Sequence, residues 1–574
     1  MWDMVLTSNR WGLVLGLALL PIAAMGCSAA TDEEAPLDEP LDSVPDALVD
    51  GMRGPVVVSG ASTEVWSVTN AWGDTSTTAA KLPGVAWGAS SGLTWEQKYA
   101  AWVNAMKRIP GVGYGDTIEI PTPYGSRVLP GPVLECAEVA MLLRITFSSW
   151  YHLPFFLTGW NAKAKAPLFA GHFGFVDSDG RTIAGFPSFR ISYKDYEKSW
   201  KDGAAWPTDA KLRKLHLGSD DGASFLAEEG AGAGAYFDEL FLNKRVGYFA
   251  RLMMLYFGSV NLADPSNMIH IVPEATSAGD VLLERWQKKG IGHTIPVIHV
   301  EPTAGEHLAI DVASGSMPRR QPRWDGPEQS KWSFTNPYTG GEGQDSDGNP
   351  YAKLGGGIRR FRTPVQSGGR WVNDVSAADA KVRIAATDVA RIVVRPARFA
   401  QLLAEGTPEE QRDAALARIE TSRQHLREHP ASCSARTNRE DAFDKLYALG
   451  ADRLSMDRAA VDAKWRTLED YTYAELDYAK SKTCCWNTTT KAMSDLILAF
   501  AKEEQAKAAA DKKCVQPTVF AAKPGGDGYE AFRAYAKAQG REAEWRAWSE
   551  DEPCAQRAVT EDALGPRGNQ AFCK

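Results

Sequence analysis

The sequence predicts an α+β domain followed by an all-α, cysteine-rich module. Three observations carry this. Residues 279–317 read as short strands, GDVLLERW, GHTIPVIHV and HLAIDVASG, joined by charged or Gly/Pro turns. Helical patterns stand apart from those strands, and from about residue 376 helical periodicity takes over. Six of the eight cysteines then fall in the last quarter of the chain. With 574 residues, 44% apolar and 24% charged, the chain has material for more than one core. A net charge of −8 without a long basic run excludes nucleic acid as the main partner.

Taken in order, Arg10 precedes the apolar run WGLVLGLALLPIAAM, which is short for a membrane span and ends in small residues. Residues 1–26 are therefore expected to be a secretory signal. Ala24-Met25-Gly26-Cys27 resembles a bacterial lipobox, which implies lipidation at Cys27 and a membrane partner reached through that anchor. Ser28, rather than Asp, follows it, a pattern similar to that of outer-membrane lipoproteins of the cell envelope. An ordinary cleaved signal is the alternative. Residues 27–54 are acidic and contain prolines, the composition of a solvated tether.

The α+β domain is expected over 55–375. It begins with β-like runs (VVVSG, EVWSV), a helix near 95–108 and the segment PYGSRVLPGPVLECAEVAMLL, whose apolar end predicts a buried helix. AGAGAYFDELFLNKRVGYFARLMMLYFG predicts one long core helix, and residues 326–350 a surface loop. In the module at 376–574, Thr407-Pro408-Glu409-Glu410 has the form of a capped helix start, and helices are expected at 407–428, 439–449, 456–482, 488–512 and 528–549. Cys433, Cys484, Cys485, Cys514, Cys554 and Cys573 flank them as disulfide candidates, suited to stapling a thin core.

Setting aside Cys27 and those six leaves one cysteine, Cys136, at the predicted helix start. A helix N-terminus favours a thiolate, so Cys136 is a nucleophile candidate, against the plainer reading of an inert buried thiol. A nucleophile needs a base and an orienting group. Among nine histidines, His293 follows Gly292 at the start of an apolar strand, with Asp311 on the next strand. His172, thirty-six residues after Cys136 and near Asp177 and Asp179, is the alternate base, and His307 the alternate orienter. His299 is expected to be structural.

These residues resemble a family. Tyr124 lies twelve residues before the cysteine and Glu135 directly before it, Leu153-Pro154 follows the helix, and Gly279-Asp280-Val281 and Gly292-His293 open strands in order. The pattern is similar to NlpC-type papain-fold cell-wall peptidases and, in its last features, to the CHAP amidases. The resemblance implies a papain-like domain with an insertion at about 155–275, Cys136 as nucleophile, His293 as base and acid, Asp311 as orienter, and Tyr124 and Glu135 at the substrate site. It implies hydrolysis of amide bonds in peptidoglycan or an envelope protein; no cofactor is expected, and no metal, because no Cys/His pair has the spacing of a zinc site. Ala137-Glu138 stands where the family has Ser-Gly, and about 125 residues separate Leu-Pro from Gly-Asp-Val. The spacing to His172 resembles transglutaminase-like domains and implies acyl transfer. An inactive envelope scaffold is the reading from a different class.

Weaker signals have plain readings. The two DSDG strings, at 177–180 and 345–348, read as polar turns rather than calcium loops. The arginines of GGGIRRFR, Arg359, Arg360 and Arg362, read as a solvated strand face rather than a polymer-binding patch. Asn487-Thr488-Thr489 has the form of a glycosylation sequon, and most of the nineteen tryptophans are expected in the core.

Overall fold

The computed structural model describes residues 53–545, except 59, 114, 289–291, 305–306, 346, 429–432, 473–474, 481–490 and 514–526, together with the strand 557–562. The signal segment, Cys27, the tether up to residue 52, the sequon at Asn487 and the side chains of the six disulfide candidates lie outside the described residues.

Helix α1 (Trp95–Asn104) starts in a capping box: the Gln97 N–H donates to Thr94 Oγ1 and the Thr94 N–H to Gln97 Oε1. Strands β1 (Lys107–Pro110), β2 (Asp116–Pro121) and β3 (Val128–Pro130) form a small antiparallel sheet. They lead into α2 (Cys136–Trp150), in which every residue is buried. A largely apolar run without Gly or Pro keeps α2 helical, and the charges buried with it are paired, Glu138 with Arg319 and Arg144 with Glu96. Arg144 of α2 donates two hydrogen bonds to the Glu96 carboxylate of α1, at 3.0 and 2.6 Å, and lies 3.6 Å from the Trp72 ring centre.

The segment expected as an insertion holds the hairpin sheet β4 (Phe156–Asn161), β5 (Ala166–Gly171) and β6 (Gly174–Val176), then α3 (Ala233–Leu240) and α4 (Lys244–Tyr256). The single long helix expected here is two. The chain leaves helical geometry at Phe241, and the Asn243 side chain accepts the Arg245 N–H to start α4.

Strands β7 (Met268–Ile271), β8 (Val281–Glu284), β9 (His293–Pro302), β10 (Leu308–Ser314) and β11 (Arg323–Asp325) follow. Helix α5 (Pro327–Phe334) comes next, within the expected loop. Pro327 and Glu328 occupy its first turn, where a missing N–H and a negative charge are favoured. Strand β12 (Gly357–Phe361), the hairpin β13 (Thr363–Ser367) and β14 (Arg370–Asp374), and β15 (Arg383–Ile384) complete the body. The main sheet has seven antiparallel strands in the order β11-β10-β9-β8-β12-β7-β15.

Alternation along the strands builds two cores. Val281, Leu283 and Ile298 face α2 and the aromatic core, whereas Leu282, Ile295 and Val297 face Phe334 of α5 and Phe399 and Leu402 of α6 (Arg395–Leu402). The body thus runs past the expected boundary at residue 375: β15 pairs with β7, and α6 packs on the sheet.

Beyond it lie α7 (Pro408–Glu428), α8 (Cys433–Leu449), α9 (Arg458–Trp465), α10 (Lys491–Ala510) and α11 (Asp527–Ala538). The capping box at Thr407 and Glu410 forms as expected. The module is not all-α, because β16 (Glu475–Lys480) pairs with β17 (Arg557–Asp562) where a helix was expected to run on to residue 482. Tyr478 and Val559, opposite each other there, suit a strand better than a helix. Among the described residues no helix is long and apolar enough to cross a membrane.

Candidate functional site

The chain enters α2 along a rigid path. The Gly131 N–H donates to Ile118 O of β2 at 2.7 Å, and the Leu134 N–H to Arg320 O at 3.0 Å. Gly315, just past β10, lies so close to this entry that a Cβ there would meet Leu134 O at 2.2 Å. Cys136 is therefore fixed where the helix start meets the ends of β9 and β10.

Its thiol donates to the Gly292 carbonyl at 3.8 Å, while the N–H groups of Thr294 and Ala137 point at the sulfur. Gly292 and Thr294 are the two neighbours of His293, so the thiol is held at the backbone on either side of that residue. Burial, and then the Glu135 carboxylate, push the thiol up to about 12, beyond what the two N–H groups offset. Cys136 is the free cysteine among the described residues and is 8% exposed.

His293 is uncharged. Burial lowers it to about 4, helped by Arg320 and Arg323 and opposed by Asp325. It shares the strand face of Ile295 and Val297, the face turned from α2. The residue directly opposite on β8 is Glu284, whose side chain lies on the same face by register. Burial raises the Glu284 carboxyl to about 7 against the pull of Arg418 of α7 and a hydrogen bond with Ser333 of α5.

Asp311 does not serve His293. It stands opposite His299, with Nδ1 3.6 Å from its carboxylate, and accepts the Trp324 Nε1–H at 3.1 Å. His299 Nε2 is 2.9 Å from Met106 O, and Asp311 holds that imidazole above its ordinary value. Six residues of strand separate His299 from His293, about 20 Å. The register thus assigns Asp311 to the histidine first read as structural. His307 lies at the far end of β9, where its carbonyl accepts the Thr303 N–H. His172 sits between β5 and β6, Nδ1 2.9 Å from Phe155 O, its ring 4.4 Å from Trp371, and burial lowers it to about 4. Tyr124 packs on Trp150, Trp200 and Trp206 at the opposite end of α2, about 20 Å from Cys136 by helix rise, so it does not line the site.

Glu135 does belong to the site. Arg319 binds the Glu138 carboxylate through Nε at 3.1 Å and Nη2 at 2.7 Å, Asp220 at 2.9 Å and Glu135 at 3.3 Å. Three carboxylates share one guanidinium, and burial followed by Glu138 raises Glu135 to about 8. Raised in the folded state, Glu135 stabilises the fold fully below its unfolded value near 4.5, and that contribution is lost as the pH climbs toward about 8. Urea unfolding at pH 5 and pH 8 should show this loss in the native protein and a smaller one in Glu135→Gln.

Sequence reasoning missed Arg319, Asp220, Glu284, Arg285 and Ser259. It also missed a preorganised pair beside Asp220: His216 Nδ1 is 2.7 Å from Asp221 Oδ1, and Asp221 Oδ2 accepts the N–H groups of Leu217 and Ala233. Glu138 carried a signal, an acid three residues after Glu135 at a helix start; the other partners are remote in sequence. The arginines read as a solvated face all turn inward. Arg359 donates to Met268 O, Arg360 to Asp280 and Asp379, and Arg362 to Pro265 O. The DSDG turns are closed by Asp177 and Asp345 accepting nearby backbone N–H groups. No family model, curated protein or solved structure matches the chain.

Proposed function

We propose that the chain is an exported cysteine hydrolase of amide bonds, with Cys136 as nucleophile and His293 as general base and acid. The supporting observation is the seat of the thiol: first residue of a buried helix, held by the peptide groups on both sides of His293. Glu284, opposite His293 by backbone register, and Asp325, whose charge acts on the imidazole, are the acids at this end of β9 in place of Asp311.

The proposed cycle needs the His293 ring, which in the described state lies on the face of β9 turned from α2, to swing to Cys136 before the thiol proton passes to it and the sulfur attacks the amide carbonyl carbon. N–H groups at the start of α2 receive the oxyanion. The C–N bond breaks as His293 returns its proton to the leaving amine. Water, deprotonated by His293, then attacks the thioester, the C–S bond breaks, and the acid departs as the thiol is reprotonated. The described state is the uncharged resting form, thiol and imidazole both neutral. The substrate class, peptidoglycan or an envelope protein, and anchoring through a lipidated Cys27 are parts of the same proposal; the anchor is tested by globomycin sensitivity and detergent-phase partitioning.

A second reading, an inactive envelope scaffold, is favoured by the burial of the thiol and its hydrogen bond to a carbonyl. Acyl transfer through His172 has no such support, since that imidazole is bound to the Phe155 backbone. A thiol-directed activity probe on the native chain, with Cys136→Ala as control, decides. Labelling at Cys136 supports the hydrolase, and an unlabelled Cys136 in folded protein assigns the scaffold.

A further inference from the structure

We propose that Arg285 is the positioning residue that holds the Cys136 thiolate, its guanidinium serving as the counter-charge when the thiol loses its proton. The inference rests on Cys136 being the reactive thiol and adds a residue outside the Cys-His pair.

Arg285 directly follows β8 and its side chain is fully buried, 1% exposed. Nη1 donates to Ser259 Oγ at 3.1 Å, and the same hydroxyl oxygen accepts the Gly292 N–H at 2.9 Å. Nη2 reaches the carbonyls of Gln287 and Lys288 at 3.3 and 3.5 Å. The guanidinium lies on Gly292 itself: a Cβ there would meet Arg285 Cδ at 2.7 Å and Nη1 at 2.8 Å. Gly292 is thus a glycine for want of space. Its carbonyl, in turn, is the acceptor of the Cys136 thiol. One residue therefore carries the thiol on its C=O and, through Ser259, the arginine on its N–H.

Charge gives this arrangement its direction. The charged groups that act on the sulfur are Glu135, at the cap of α2, Glu138 of α2 and Arg285; Arg319 pairs with both glutamates, and Arg320 acts on the neighbouring His293. Arg319 is committed to three carboxylates, and His293 is neutral at rest. Burial lowers Arg285 to about 10 and a negative sulfur at Cys136 raises it, the electrostatic counterpart of the Gly292 peptide on which both residues lie. In a site with little water that attraction is large, and it operates only after the proton has left. While the thiol is protonated, Arg285 shapes the Gly292 peptide; once it is ionised, the same guanidinium balances it.

The test is the rate at which a small alkylating reagent modifies Cys136, read as the Cys136 peptide by mass spectrometry, on the full folded chain between pH 7 and 9.5. Arg285→Met should move the rate profile to higher pH by about one unit, a loss of about tenfold at a given pH, and Arg285→Lys should restore most of it. A merely structural arginine predicts the opposite sign, since loosening the site exposes the sulfur and speeds modification. An equal or faster rate in Arg285→Met, with the native protein labelled, overturns the role of Arg285 and leaves the nucleophile standing. A native chain unlabelled across the range overturns both.

Discussion

Under the proposed hydrolase reading, His293→Ala is expected to lower kcat/KM for peptide-amide hydrolysis by about 10²- to 10⁴-fold, the contribution of a positioned acid–base group, and Cys136→Ala to remove the covalent route altogether. Asp311→Asn leaves the rate within about twofold, because its carboxylate serves His299 and Trp324 at another place on the sheet. Glu284→Gln falls between, and its loss should grow as the pH rises through about 7, where the native carboxyl ionises, since the protonated acid and the amide are alike below it. The assay is turnover of peptidoglycan-derived peptides with these four variants side by side. A strong loss in Asp311→Asn together with an unaffected Glu284→Gln would return the orienting role to β10 and refute the register argument.

Phe147→Ala should destabilise the protein by about 3–5 kcal/mol, the range for removing a large ring from a packed core. Phe147 has no exposed surface, and its ring lies among six others: Trp72, Trp87, Trp95, Tyr99, Trp102 and Tyr151, at centroid distances of 4.8 to 6.3 Å. No neighbouring side chain is free to move into the void, since each ring is held by the others or by a hydrogen bond, as Trp72 Nε1 is by Pro154 O and Trp102 Nε1 by Pro121 O. Phe147 also lies three turns along α2 from Cys136, so the void is expected to loosen the seat of that thiol. Urea unfolding followed by tryptophan fluorescence measures the first effect, and faster alkylation of Cys136 in the variant the second. A loss under 1 kcal/mol would show that the aromatic core can collapse around the gap.

What could be read from the sequence was local. Gly131-Pro132 followed by an unbroken apolar run placed the start of α2, and alternation placed β8, β9 and β10. Glu135 and Cys136 were legible for the same reason. The lost information was of two kinds. Register decides partners across a sheet, and Asp311 and Glu284 are equally ordinary acids in strands until pairing puts one opposite His299 and the other opposite His293. Tertiary contacts override weak patterns elsewhere: α5 is polar on one side and gains its place from Phe334 in the second core, and the break before α4 depends on one asparagine side chain. The inward arginines misled because a charged strand residue normally meets water, whereas Arg360 meets Asp280 and Asp379.

The seat of Cys136 also bears on how the chain matures. Disulfide exchange proceeds through the thiolate, and a thiol held near 12 is ionised in only about one molecule in 10⁵ at pH 7. Once α2 has docked, that small thiolate fraction slows exchange between this sulfur and the six cysteines that follow it. If the chain is exported as proposed, docking of α2 before oxidation would protect Cys136 from mispairing, so the order of these two events becomes part of what keeps the thiol free.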